Sequence, residues 1–578
     1  MATTAGIAGI STYYQPSITF SGLGSDVDFD SIIDKLVEVE SASINRFESW
    51  KTEWSDKIDS LETLNSKLTD LKTVAASMDT LSQFVGKTAA SSDTTVLTAS
   101  ASTTASSGTH AILVNQLAQN EVEAHAGLAA SDTVINSSGS AKVFAFSYAG
   151  GASVSIAVAD GDTLADLATA INTSGANPGV TASVMDLGAS YGATRYRLLL
   201  QGNSTGSSNT ITIDDGLTTL DGAGGTENFL STAFTETQTA QDAQIRVDGY
   251  PPGTWIERSS NSINDVIPGV TLSLLDSSAS SVQVTIGDDT EAMQEKIEEL
   301  VDKYNDVIAY IKDQTKFDNT TGEAGILLGN YAVEIVKSSL NYIASGSAPG
   351  FKSPNDTYLT LAQLGITTDS DETSPTFGQL TIDSGELSAA INDDPSAVAN
   401  LMSAYFQGVS DDASGNLTYH SSLPGITQPG TYAVTATVAG GVITAATING
   451  RAASISGDTI TASASGYPEY GLAVKVNLVD GDYSSDVRLQ LGKNGQFTEK
   501  LDELLSISSG PVNILINNYQ DIIDGIDGKI EAETRRVEAV RKRLTEQFAR
   551  VDSILSTLNQ QSQYLTTQLG KLNGSSSS

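Results

Sequence analysis

From Asp28 to Leu81 the sequence holds neither proline nor glycine, and from Phe47 onward its apolar residues fall at Trp50, Trp54, Ile58, Leu61, Leu64, Leu68, Leu71, Ala75 and Met78, in steps of three and four. That is the period of a helix with one apolar stripe. Such a stripe is poorly tolerated bare in water, so the run predicts a long helix packed against a partner. Ser25, Asp26 and Asp28 are suited to cap its start. The other end of the chain mirrors it. Leu544, Phe548, Val551, Leu555, Leu558, Ser562, Leu565, Leu569 and Leu572 alternate steps of four and three, with Ile523, Ile526, Ile530 and Val537 before them. This is the seam of a coiled coil. A third stretch, Thr290 to Lys312, carries Met293, Ile297, Leu300, Tyr304, Ile308 and Ile311 at helical spacing. Helices from three distant parts of the sequence can bury their stripes on one another, and what lies between must then loop out.

The looped-out sequence has a different grammar. Lys142 to Val158 alternates as strands do, Thr163 to Asn172 has the pattern of a short helix, and Val180 to Ile213 returns to strands with glycine-rich turns. In a second β-rich stretch, Gly408 to Leu491, the run Tyr432 to Val438, the pair Gly440-Gly441 and the run Val442 to Thr444 predict a hairpin. A chain of 578 residues exceeds what one core serves and suggests about three to five domains. The fold class expected is an α+β multidomain protein: a discontinuous helical coiled-coil leg and bundle from both chain ends, with inserted β-rich head domains.

Composition narrows the function. Aromatics at 6% and charged residues at 17% suit an extended secreted protein better than a compact enzyme. The formal charge of -38 opposes binding to nucleic acid or an anionic membrane surface, which need a cationic footprint. Without cysteine the chain has no disulfide, no thiolate nucleophile and no Cys-ligated metal. Nothing reaches the roughly 18 apolar residues of a membrane span. Met1 to Phe20 lacks a basic n-region and an unbroken apolar h-region, so export without a cleaved signal peptide is expected.

Candidate chemistry does not hold together. Gly202-Asn203-Ser204-Thr205-Gly206 fits the G-x-S-x-G nucleophile pattern, but turn and strand residues follow where a helix is required. A Gly/Ser turn is the better reading. Asp26, Asp28 and Asp30 imitate half a calcium loop, yet Ser31 and Val37 stand where glycine and a bidentate glutamate belong, so capping accounts for them. His110, His125 and His420 lack metal-ligand spacing. No catalytic, cofactor or metal residue is assigned. Trp50 and Trp54 continue the apolar stripe and are read as packing. Arg535, Arg536, Arg541, Lys542, Arg543 and Arg550 form a basic cluster, read as a solvated face pairing with acidic neighbours.

Several segments carry a family resemblance. Gly22-Leu23-Gly24-Ser25 followed by Asp30 to Leu36 resembles the amino terminus of the flagellar hook-associated protein 2 family, the filament cap proteins. Gly108 to Ala118 looks like that family's first strand after its long helix. Asp160 to Leu164, Ala170 to Asn172, Gly179 to Ala182 and Leu198 to Leu200 are similar to the insert motif shared by flagellins and hook-associated proteins. The most specific match runs Ala240 to Ala243, Val247-Asp248-Gly249, Arg258 to Asn261 and Asp265 to Leu272. Leu364 to Ile366, Gly378 to Asp383, Asp394 to Val398, Leu501 to Leu505, Gly510 to Val512, Gln547 to Asp552 and Gln563 to Leu569 resemble the carboxyl-terminal region. Residues 408–491 match no family motif and read as an added surface domain.

The resemblance implies a leg of residues 1–45 with 541–578 and a helical bundle of 46–108 with 285–407 and 492–540. It implies a β-rich head domain of 109–130 with 236–284 and a flagellin-insert-like α+β head domain of 131–235, beside which the unmatched stretch 408–491 reads as an extra β-rich insertion domain. It further implies a secreted, non-enzymatic cap at the distal tip of the bacterial flagellum, a ring-like homo-oligomer, most often a pentamer. Such a cap is needed for polymerisation of exported flagellin and keeps it from leaking away. Expected partners are flagellin, the hook-filament junction proteins and the flagellar export chaperone, contacted through Phe548, Val551, Leu555, Leu558, Leu565, Leu569 and Leu572. Two rivals are an adhesin binding host glycans or mucin through 408–491, and a secreted hydrolase using Ser204.

Overall fold

A computed structural model describes residues 28–318 and 321–574. The Gly22–Ser25 signature, the capping roles of Ser25 and Asp26, and the tail beyond Gly574 lie outside the described residues. The helices are α1 (Phe29–Glu40), α2 (Ala42–Ala76), α3 (Leu81–Phe84), α4 (Leu164–Thr173), α5 (Thr290–Thr315), α6 (Tyr331–Ser345), α7 (Ser384–Asp393), α8 (Pro395–Ser403), α9 (Lys493–Leu504) and α10 (Pro511–Gly574). Antiparallel sheets make up the rest, so the α+β multidomain class stands. The described residues form two compact units, one from residues 28–79, 298–383 and 404–574, the other from 80–297 and 384–403.

The first unit is organised by α2 and α10, which run antiparallel. Ser43 meets Glu533 at 3.2 Å, Lys51 pairs with Asp527 at 2.7 Å and Asn65 Nδ2 donates to Asn513 Oδ1 at 2.7 Å. Between and beyond these polar rungs the predicted stripe of α2 is buried at Ile58, Leu61, Leu64, Leu68, Leu71 and Ala75. On α10, Ile523, Ile526 and Val537 are buried. The stripe is less complete at its amino end. Trp50 is 45% exposed, so it is not core; its ring meets Phe47 edge-on at 5.8 Å. Trp54, one turn on, faces Tyr519 at 4.9 Å. The helical run also breaks at Ser41, whose Oγ donates to Val37 O at 2.8 Å and closes α1. Asp28 caps α1 as expected, accepting the Ser31 N–H at 3.0 Å.

Lys493 and Asn494, at the start of α9, are fully buried and hold two helix ends together. Lys493 Nζ donates to Ile343 O and Gly346 O, both at 2.6 Å, and Asn494 Nδ2 donates to Met78 O at 2.8 Å. Carbonyls in a last helical turn have no intrahelical donor, and a cation also suits the negative helix end, so these contacts satisfy groups of α6 and the end of α2. The same unit carries the β-rich residues between 407 and 490. Strands 407–410, 481–490, 430–439, 442–448 and 451–452 form one sheet; 417–421, 473–476, 459–461 and 454–456 form another. A core including Leu417, Val434, Ile460 and Val474 lies among them. The expected hairpin turns at Gly440 and Gly441, whose φ of 64° and 74° only glycine adopts freely. Arg488, 3% exposed, ties this region to the preceding loop: it pairs with Asp356, donates to Asp411 Oδ1 at 2.7 Å and to Gly350 O at 3.1 Å.

In the second unit a five-stranded sheet orders Lys87–Ser91, Val282–Asp288, Gly108–Gln116, Ala243–Val247 and Ile256–Arg258. Its core includes Ile112, Val114, Ile245, Leu272 and Val284. A separate core, among Phe144, Phe146, Leu167, Ile171, Leu198, Leu200 and Phe229, is enclosed by a four-stranded sheet, a three-stranded sheet and α4. The short helix expected at Thr163–Asn172 is α4, capped by Thr163 and Asp166.

Candidate partner-binding surface

The proximal part of α10 is covered and its distal part is not. Phe548, half-buried, meets Phe29 of α1 in a tilted contact with ring centres 5.3 Å apart. That aromatic contact is worth about 0.5–1.5 kcal/mol beyond area burial. Asp34 of α1 holds Arg541 at 2.5 Å, and Arg536 reaches Glu40 and Glu533, each at 2.7 Å. The partners of α1 thus step back along α10 as α1 advances, so these helices too run antiparallel. Arg535 pairs with Glu531 at 2.8 Å. The basic cluster therefore pairs with acidic neighbours at Arg535, Arg536 and Arg541, whereas Lys542, Arg543 and Arg550 make no ion pair among the described residues. The hydrogen-bonded guanidinium of Arg536 holds the Glu533 carboxyl below its ordinary pKa. Such solvated pairs are screened by water and orient more than they stabilise.

Beyond Phe548 the predicted seam lies on one side of α10. Val551 is 42% exposed, Leu558 52%, Leu565 61% and Leu569 61%, while Leu555 is half-buried. Leu572 sits on the helix, its side chain outside the described residues. Phe548 is thus set apart from the rest, its ring already engaged by α1. Sequence reasoning passed over Ile554 and Tyr564, 61% and 64% exposed, because a strict four-three alternation selects one position per turn and ignores its flank. A search for all large apolar residues on α10 would have found them.

The residues considered for chemistry are spent on structure. Ser204 lies in the turn after strand Tyr196–Gly202, where its N–H donates to Tyr148 Oη at 3.0 Å, and strand Ile211–Ile213 follows instead of a helix. His125 is buried, stacked on Phe229 at 4.3 Å, and its Nε2 meets Asn228 O at 2.8 Å; burial pushes its pKa down. His110 pairs with Asp248. Among the described residues no group of histidine and carboxylates is arranged to hold a metal ion, and no helix is long and apolar enough to cross a membrane.

Comparison with known proteins agrees with the residues quoted above. The family described as flagellar hook-associated protein 2 C-terminus matches residues 240–560, more than half of the chain, and the corresponding N-terminus family matches residues 25–121. The flagellin hook IN motif matches residues 143–193, overlapping the insert-like segment. Among relatives, flagellar hook-associated protein 2 of Escherichia coli K12 is 29% identical over 447 residues, 73% of this chain and 88% of that protein. The B-type flagellar hook-associated protein 2 of Pseudomonas aeruginosa is 27% identical over 414 residues, 67% of this chain and 80% of that protein. The crystal structure of the flagellar cap protein FliD D1-D2-D3 domains from Escherichia coli aligns with 28% identity and a TM-score of 0.43, covering 59% of this chain and 89% of that one. The comparisons lend no support to a glycan-binding adhesin. The chain belongs to the flagellar hook-associated protein 2 family, the structural caps of bacterial flagellar filaments.

Proposed function

We propose that the protein works as a ring-like homo-oligomer, a pentamer, at the distal filament tip, promoting polymerisation of exported flagellin and preventing its loss. The distal face of α10 engages flagellin, the hook-filament junction proteins or the export chaperone. In this reading residues 1–45 with 541–578 act as the leg, 46–108 with 285–407 and 492–540 as the bundle, and 109–284 as head domains, except that strands Lys87–Ser91 and Val282–Asp288 pair within the head sheet and so belong to the head. Residues 408–491 form an additional outer domain.

The observation that carries the reading is the contrast along α10. Ile523, Ile526 and Val537 are buried against its own chain, whereas Val551, Leu558, Leu565 and Leu569 keep the heptad spacing with their side chains exposed. Fully burying one such side chain yields about 1.5–3 kcal/mol, so a partner helix gains substantially by covering the seam. Alanine at Leu558 and Leu565 together is expected to weaken partner binding by at least tenfold, read as flagellin spilled into the medium, shortened filaments and loss of chaperone capture. Unchanged filaments and unchanged capture would remove these residues from the partner surface. Mass measurement of the purified oligomer tests the pentamer.

A further inference from the structure

Residues 248–255 form a braced aromatic tip on the second unit. After strand Ala243–Val247 the chain turns through Asp248 and Gly249, both at positive φ (54° and 77°), and Val247 and Tyr250 exchange backbone hydrogen bonds of 2.9 and 3.1 Å. It then leaves the sheet through Pro251, Pro252, Gly253 and Thr254 and returns as the edge strand Ile256–Arg258. The base of the tip is fixed to strand Gly108–Gln116. Asp248 Oδ1 accepts the Ala111 N–H at 2.8 Å, its Oδ2 meets His110 Nδ1 at 2.8 Å, and its own N–H donates to Ala111 O at 2.8 Å. Higher up, Arg246 Nε donates to Thr254 O at 2.8 Å and its guanidinium lies 3.9 Å from the centre of the Trp255 ring. Tyr250 is 70% exposed.

Ordinary structural reasons explain part of this. Prolines beside an edge strand deter another strand from pairing there, and an Asp-Gly turn closes a hairpin. Neither reason calls for an exposed tyrosine on the same loop as a tryptophan covered by an arginine. Tyrosine, tryptophan and arginine are the residue types that anchor interfaces, and a loop already hydrogen-bonded into shape loses little freedom on binding. Charge identifies the partner. At a formal charge of -38, copies of this chain repel one another, so a contact between them is favoured where acidic groups are absent or matched by cations. Gly249 to Ile256 contains no acid, Asp248 beneath it is engaged by His110, and Arg246 adds a positive charge.

We propose that the 249–255 tip is a contact between copies of this chain, with Tyr250 and Trp255 as its buried anchors. This rests on the homo-oligomer reading above. The test places a photo-cross-linking amino acid at Thr254 in the full-length chain and identifies the joined peptides by mass spectrometry. In parallel, sedimentation compares the wild type with Tyr250→Ser, and with Tyr191→Ser as a control exposed elsewhere on the same unit. Expected are cross-links between two copies, a tenfold or greater loss of self-association for Tyr250→Ser, and none for Tyr191→Ser. Normal assembly of Tyr250→Ser without inter-copy cross-links would overturn the tip contact while leaving the homo-oligomer intact, as would cross-links to flagellin alone. A wild-type chain that stays monomeric at every concentration would overturn both.

Discussion

Lys493 offers a quantitative test of how the bundle is held. Burial alone lowers its ammonium from 10.5 to about 8, since the two carbonyls facing it are neutral acceptors. At about 1.4 kcal/mol per tenfold, keeping the charge inside at neutral pH costs on the order of 3 kcal/mol. The folded pKa lies below the unfolded one, so between about pH 8 and 10.5 the unfolded chain binds more protons and stability rises with pH. The penalty is fully present below pH 8. Between pH 7.5 and 9.5 the relief is about 2 kcal/mol. Neutral lysine retains two N–H donors, so both carbonyls stay satisfied after deprotonation. Lys493→Met preserves the apolar stem, removes the donors and abolishes this pH dependence. The assay is amide hydrogen exchange at the carboxyl end of α6 and the first turn of α9, on both proteins across this range. The wild type should gain about 2 kcal/mol of protection relative to Lys493→Met. Parallel pH profiles of the two proteins would show that the amine is not buried as a charge and would refute the reasoning.

Two further outcomes follow from buried charge. Arg488→Met leaves Asp356 and Asp411 facing each other without their cation, and should destabilise the 407–490 region by about 3–5 kcal/mol, read as early proteolysis within it. In the second unit Glu123 is pushed up to about 7 by burial and then by Glu121 and Glu236, the latter directly across the strand pair. Its raised pKa means that destabilisation builds as pH climbs from about 4.5 to 7 and is complete above. Glu123→Gln should therefore stabilise this region by roughly 1–3 kcal/mol at pH 8 and by little at pH 4.5, measured by thermal melting.

Periodicity made α2, α4, α5 and α10 legible because each carries an apolar stripe against a polar face over several turns. The Gly440-Gly441 turn was legible because two consecutive positive φ values demand such residues. By contrast α6 to α9 carry no signal as distinctive. Pro395 opens α8, and α9 begins Lys493-Asn494-Gly495, residues that ordinarily mark a surface. They are buried because the ends of two other helices converge on them and supply acceptors. Trp50 is the opposite case: it keeps the spacing of its stripe yet is 45% exposed, although α10 passes beside the next residue, where Lys51 pairs with Asp527. For the candidate surface, the seam on α10 could be read from the heptads, but the separation of Phe548 from Leu558, Leu565 and Leu569 could not.

From the sequence by itself came the helical ends, the β-rich insertions, the lack of thiol chemistry and the family, since these depend on residue type and spacing alone. Tertiary structure decided which part of one uniform seam is already used. A heptad records that a helix needs a partner, not how far that partner reaches. Along α10 the cover is supplied by α2 and then by α1, whose described residues end where Phe29 meets Phe548. What lies beyond is apolar, regularly spaced and exposed. The same holds for Lys493 and Arg488, whose burial depends on groups more than a hundred residues away in sequence.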